Sequence, residues 1–420
     1  MWVTGYCYPW DVADDPGFAD RAGEIGVDEV AIAASYHATR AATPFRADRT
    51  SVVADQAGLY RPVREEIWGA RTLRPSPGPW ADQSRDKVDT VDKVADAVSV
   101  VRDAGLRTAL WVVLTHNSAL GLANPDRTVR NCFGENYGWA LCPAHEDVRE
   151  YAATLAAEAV RDLRPDTVIL ESCGQMGAVH QHMHEKTDAV WAPAVARLLS
   201  VCCCPACTSA WQRAGLDPER ITELLRVRVR SIMANGDLGA TDDGLPEEIG
   251  TALLSVRQQH TDALRAAVLA ELGPAGRVIL HASNDPWATG ALPGLTPATP
   301  ADIDAVVLPG WQVGPAALAA VRATRAAVPD TVDVGSYVTA VAPSPVADIQ
   351  SHVRDLHAAG AGELHLYHLG LAGPARLPYL RDAVTAAHTP PCAPSAVAAT
   401  LPGVANGHLI GSIPYARSFV

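Results

Sequence analysis

Lysine is nearly missing from this chain: Lys87, Lys93 and Lys186 are the only three among 34 basic residues, the rest being arginine. The net charge is −13 and no basic run occurs, so the electrostatic footprint of a nucleic-acid or anionic-membrane binder is absent. No apolar stretch approaches the ~20 residues that span a bilayer. Met1-Trp-Val-Thr-Gly-Tyr6 runs straight into a strand-like segment, without the pattern of a signal peptide. These absences lead us to expect a cytoplasmic protein, and the arginine and alanine bias suggests a high-GC bacterial genome. No Gly-x-Gly-x-x-Gly or phosphate-cradling loop follows any strand-like run, which argues against a nucleotide site. Phenylalanine is scarce, 4 against 10 tryptophans, and broad indole faces suit sugar rings.

What is present is an alternation of strand-like and helix-like runs over 420 residues. Strands are expected at 2–8, 29–34, 108–115, 167–171, 278–281, 305–308, 331–337 and 363–368. Helices are expected near 16–25, 88–104, 146–163, 247–272, 315–327, 345–359 and 374–388, the last three opened by proline. Only a weak helix, near Ala301–Asp304, joins strands five and six. Eight strands nearly all followed by helix make a (β/α)8 TIM barrel, with long insertions after strands 2, 3 and 4. A doubly wound open sheet is the alternative. We expect one barrel domain over 1–388, including a Cys-rich insertion at about 173–246, and a C-terminal extension over 389–420.

Residues that follow the strands of such a barrel share one rim, where chemistry collects. Thr167-Val-Ile-Leu-Glu171 ends on a carboxylate, and a carboxyl raised in pKa by burial serves as a general acid near neutral pH. Glycosidic cleavage needs a second carboxyl, for which Asp285 and then Asp11 are the candidates. Trp10, Tyr36, His37, His116, Asn117, His281, Trp287, Trp311, Tyr337 and Tyr367 would line the same rim, an aromatic and amide-rich wall suited to a small carbohydrate or glycoside. His180-Gln-His-Met-His-Glu-Lys186 sets His180, His182 and His184 on one side of an extended segment. With Lys186 they can hold sugar hydroxyls, or with Glu171 a divalent ion. Self-association is left open.

Cys202-x-Cys204-x-x-Cys207 puts three thiols in tight spacing, and Cys132 or Cys142 can supply a fourth ligand. Four thiolates make a closed, structural zinc site. The stretch Leu199-Ser-Val-Cys-Cys-Cys-Pro-Ala-Cys207, following Glu171 and preceded by Cys132 and Cys142, resembles the glycoside-hydrolase barrels of the zinc-bearing β-galactosidase type. Ala140-Leu-Cys-Pro143 and the His180–Lys186 stretch also resemble uncharacterised bacterial hydrolase-like barrels. The resemblance implies Glu171 as acid/base. It also implies a nucleophilic glutamate at the end of strand seven, where this chain has Val334-Gly-Ser-Tyr337. The double-displacement mechanism therefore does not carry over. The expectation is a glycoside hydrolase with Glu171 as acid, inverting with Asp285 or Asp11 as base, or using Tyr337 as nucleophile. The alternatives are a metal-dependent barrel hydrolase or isomerase built on the His180/His182/His184 cluster, and a barrel that binds carbohydrate without cleaving it.

Overall fold

The structure, a computed structural model, describes residues 1–80, 92–181, 185–187, 190–273, 276–341 and 347–389. Eight parallel strands form its centre: β1 (Trp2–Cys7), β2 (Glu29–Tyr36), β3 (Arg107–Val113), β4 (Thr167–Glu171), β5 (Arg277–His281), β6 (Ala305–Pro309), β7 (Asp333–Thr339) and β8 (Glu363–Tyr367). Each pairs with its sequence neighbour, and β1 pairs with both β2 and β8, which closes the barrel. The fold is therefore the (β/α)8 barrel. The strands were legible because they are buried on both faces and run as near-continuous apolar stretches. β2 extends two residues past its expected end because the short strand Gly58–Leu59 pairs antiparallel with Ser35 and Tyr36.

The outer helices are α1 (Phe18–Ile25), α2 (Lys93–Asp103), α3 (Glu146–Val160), α4 (Glu247–Leu272), α5 (Pro315–Ala327), α6 (Ile349–Ala358) and α7 (Leu377–His388). Side-chain caps set two starts: Asp92 accepts from Ala95 N and Asp348 from Ser351 N. The helix expected from Pro374 begins later, because Pro374–Arg376 forms a 3₁₀ turn first. Between β5 and β6 the expected weak helix is a single 3₁₀ turn, Thr299–Ala301. Arg265, fully buried on α4, pins that connection through Asp302 at 2.8 Å.

Two hydrophobic cores result. The larger fills the barrel and the layer between strands and helices. The smaller joins two insertions: the hairpin Thr128–Arg130/Asn136–Leu141 after β3, and the helices Pro193–Leu199, Pro205–Arg213 and Pro218–Asn235 after β4. Leu253 and Val256 of α4 complete it. The expected C-terminal extension lies outside the described residues apart from Thr389. Among the described residues no helix is long and apolar enough to cross a membrane.

Candidate active site at the barrel mouth

Glu171 closes β4 and is 4% exposed. Its Oε2 accepts a hydrogen bond from Trp111 Nε1 on β3 at 2.9 Å. His281 Nδ1, from the end of β5, lies 3.3 Å from the same oxygen, without the alignment of a hydrogen bond. Ser172 then turns the chain away through a left-handed φ of 52°. Burial pushes the Glu171 carboxyl up, but the His281 contact, with smaller contributions from His37 and His180, outweighs it. The net direction is down, so Glu171 is an ionised carboxylate near neutral pH. This corrects the expectation of a carboxyl raised by desolvation: a buried acid beside an imidazole is held in its charged form.

Behind Glu171 a polar column runs down the barrel interior. His281 Nε2 meets the Tyr6 hydroxyl at 2.8 Å, and the same hydroxyl meets His365 Nδ1 at 2.9 Å. His365 Nε2 donates to Glu363 Oε2 at 3.1 Å, and Glu363 pairs with Arg277 near the opposite end of the barrel. A carboxylate can only accept, so the polarity is set from the base. His365 donates through Nε2 and accepts at Nδ1, and Tyr6 donates to His365 and accepts from His281 Nε2–H. The remaining His281 Nδ1 faces Glu171, a contact that is attractive when it also carries a proton.

An aromatic shell surrounds this column. Tyr36 meets Trp111 edge-on at 4.8 Å, Tyr337 lies 4.8 Å from Tyr6, and Trp311 covers Tyr337 at 4.9 Å and Tyr367 at 5.6 Å. Trp10 stacks on Tyr8 at 4.6 Å. Several buried polar atoms in these strand-end segments have no partner among the described residues: Trp10 Nε1, His116 Nδ1, Ser172 Oγ, His180 Nε2, Tyr337 Oη and His368 Nε2. Buried polar groups of this kind are ordinarily satisfied by a protein group, an ordered water or a bound ligand.

Asp11 sits at the same end, in the short helix Pro9–Ala13, where its Oδ2 accepts from Tyr8 N at 2.9 Å and lies 3.8 Å from His368 Nδ1. Burial pushes its carboxyl up to about 8 against the backbone hydrogen bond, so it holds a proton at neutral pH. Both Glu171 and Asp11 act electrostatically on the Tyr367 hydroxyl, which burial and those charges push up to about 12.

His180 does not sit in a one-sided histidine array among the described residues; His182 and His184 lie outside them. It packs instead against His116 at 5.0 Å, and His116 packs against His37 at 4.8 Å. Burial pushes all three down, His180 to about 4. Four other expected rim residues do different work. Asn117 caps the helix Ser118–Ala123 through Leu120 N and donates to Tyr151. Asp285 caps its own turn through Trp287 N. Trp287 lies under the Arg257 guanidinium against the second core. Lys186 is exposed. For Asn117 and Asp285 the local cap or turn outweighs the rim position. Tyr6, Trp111 and His365 were missed, although each lies on the inward-facing alternation of a barrel strand.

In the second core Cys142, Cys202, Cys204 and Cys207 bring their sulfurs together. Cys142 Sγ lies 3.6 Å from Cys207, 3.7 Å from Cys202 and 3.8 Å from Cys204. Cys132 falls in the hairpin turn and stays outside this group, whereas Cys142 follows the second hairpin strand and is held by Arg127 O. Arg130 N lies 3.4 Å from Cys202 Sγ, and His145 Nε2 lies 3.4 Å from Cys204 Sγ.

No family model and no curated protein matches the chain. Solved structures do. The catalytic domain of β-amylase from Paenibacillus polymyxa superposes with TM-score 0.54 at 12% identity, covering 93% of this chain and 99% of that one. Alpha-L-fucosidase isoenzyme 2 from Paenibacillus thiaminolyticus gives TM-score 0.53 at 12% identity, covering 92% of this chain and 49% of that one. The chain thus spans about half the length of the fucosidase. At this identity the likeness defines a fold: a barrel of the kind that glycoside hydrolases use.

The column yields a direct stability test. Tyr6→Phe leaves His281 Nε2 and His365 Nδ1 without their shared hydroxyl in a fully buried site. Urea unfolding should show a loss of about 1–3 kcal/mol, whereas an unchanged midpoint would mean that the column bears no load.

Proposed function

We propose that this protein is a glycoside hydrolase acting on a small carbohydrate or glycoside, with Glu171 as the ionised carboxylate and Asp11 as the proton donor. The observation that carries this reading is the opposite displacement of the two buried carboxyls at the barrel mouth, Glu171 down and Asp11 up to about 8. Paired carboxyls whose surroundings drive them apart are what acid and base roles require. Asp11 would protonate the leaving oxygen, and Glu171 would activate the attacking water and favour positive charge at the anomeric carbon. This exchanges the roles expected from sequence and retains inversion as the expected outcome. The aromatic shell would stack on the sugar, with the unpartnered Trp10 Nε1, Ser172 Oγ, Tyr337 Oη and His368 Nε2 meeting its hydroxyls.

The test is steady-state turnover on a panel of aryl glycosides. Glu171→Gln should lose roughly 100- to 10,000-fold in kcat with binding retained. In the parent protein kcat/KM should fall as pH rises through about 8, where Asp11 loses its proton, and Asp11→Asn should abolish that limb. Turnover unaffected by Glu171→Gln would remove Glu171 from the mechanism. Sugar binding with no turnover in the parent protein would make it a carbohydrate-binding barrel.

The same proposal includes one structural zinc on Cys142, Cys202, Cys204 and Cys207. A tetrahedron with Zn–S bonds of about 2.3 Å has sulfurs roughly 3.8 Å apart, and the separations from Cys142 are 3.6–3.8 Å. Such a site would organise the second core and supply no open position for chemistry. Chelation should lower the Tm; a Tm indifferent to zinc removal contradicts this assignment.

A further inference from the structure

Three loops bring one histidine each to the same place. His37 follows β2, His116 follows β3 and His180 lies in the loop after β4, and ligand nitrogens from the three rings all lie within 4.8 Å of one another. His37 and His116 are about nineteen-twentieths buried, at 6% and 5% exposure. His37 Nδ1 donates to Ala38 O at 3.0 Å, which fixes the proton there and leaves Nε2 as a free lone pair. His116 Nδ1 and His180 Nε2 are buried without partners among the described residues. The Gln181 backbone is the further polar group acting on His116. Buried imidazole nitrogens are ordinarily satisfied by protein groups, ordered water or a bound ion. His180 also holds a left-handed φ of 68°, an unfavourable conformation for a residue with a side chain.

We propose that His37, His116 and His180 bind one divalent transition-metal ion, of the imidazole-preferring kind typified by zinc, beside Glu171. Three neutral imidazoles are a catalytic-type donor set: they leave a fourth tetrahedral position for water or a substrate hydroxyl. With bonds of about 2.0 Å the nitrogens of such a site stand roughly 3.3 Å apart, so from within 4.8 Å of one another they close by at most about 1.5 Å on binding. His37 and His180 are near enough for their charge to act on Glu171, so a cation held there would favour the ionised carboxylate. The site goes beyond the glycosidase reading and stands or falls separately from it, because metal content is measured without turnover.

Cobalt(II) distinguishes the two metal sites of this chain. Thiolate ligands give intense near-ultraviolet charge-transfer bands, and an all-imidazole site gives only weak visible bands. Chelator-stripped protein reconstituted with cobalt should take up about two ions per chain, one with each signature. The double variant His37→Gln/His116→Gln should take up about one, with the thiolate band intact, which also reports that the fold persists. Should that variant fail to fold, His116→Asn alone serves, and its second ion should bind more weakly by at least roughly the 100-fold that outer-shell changes can cost. Parent protein whose only cobalt shows the thiolate signature overturns the proposal. A second ion bound equally by the variants does so as well.

Discussion

A carboxylate that stays ionised inside an apolar barrel depends on what faces it, and the mouth of this barrel is arranged around that constraint. Glu171 accepts from an indole N–H on β3 and faces an imidazole from β5, each on a strand flanking β4. The imidazole is in turn oriented by Tyr6, His365 and Glu363, so its direction is decided near the far end of the barrel, beside Arg277. Burial alone would drive Glu171 towards the neutral form; the His281 contact, with His37 and His180 nearby, reverses the direction. Asp11, with a backbone N–H and Arg21 too weak together to offset burial, keeps its proton.

The second core ties into the same region. The loop that leaves Glu171 enters it through Met176 and Ala178, and Ala178 N donates to Ser200 Oγ, two residues before Cys202. The thiol cluster and its surroundings therefore brace the chain segment that presents His180. Packing of the insertion and the geometry of the barrel mouth meet in this short stretch.

Much of this was legible in the sequence. Buried parallel strands read as apolar runs, so the eight strands and the terminal position of Glu171 followed from periodicity. The Cys202/Cys204/Cys207 spacing is local and survived folding unchanged. What could not be read was convergence. Tyr6, Trp111 and His365 lie within apolar strands, and only closure of the barrel turns their inward positions into one column. His37, His116 and His180 come from three loops, so the alternate histidines near His180 drew attention to neighbours in sequence rather than neighbours in space. Asn117 and Asp285 show the reverse error, since residues at strand ends also cap helices and turns, and there the local hydrogen bond prevailed. The sign of the Glu171 shift was misjudged for the same reason: desolvation is legible from a buried strand, but its partner on another strand is not.

The central claim is that Glu171 is ionised while Asp11 is protonated at neutral pH. A pH titration of side-chain carboxyl signals by carbon-13 NMR, assigned with Glu171→Gln and Asp11→Asn, tests it directly. The account predicts a Glu171 signal that titrates below the ordinary glutamate range and an Asp11 signal that titrates near pH 8. A Glu171 carboxyl still protonated at neutral pH would contradict it.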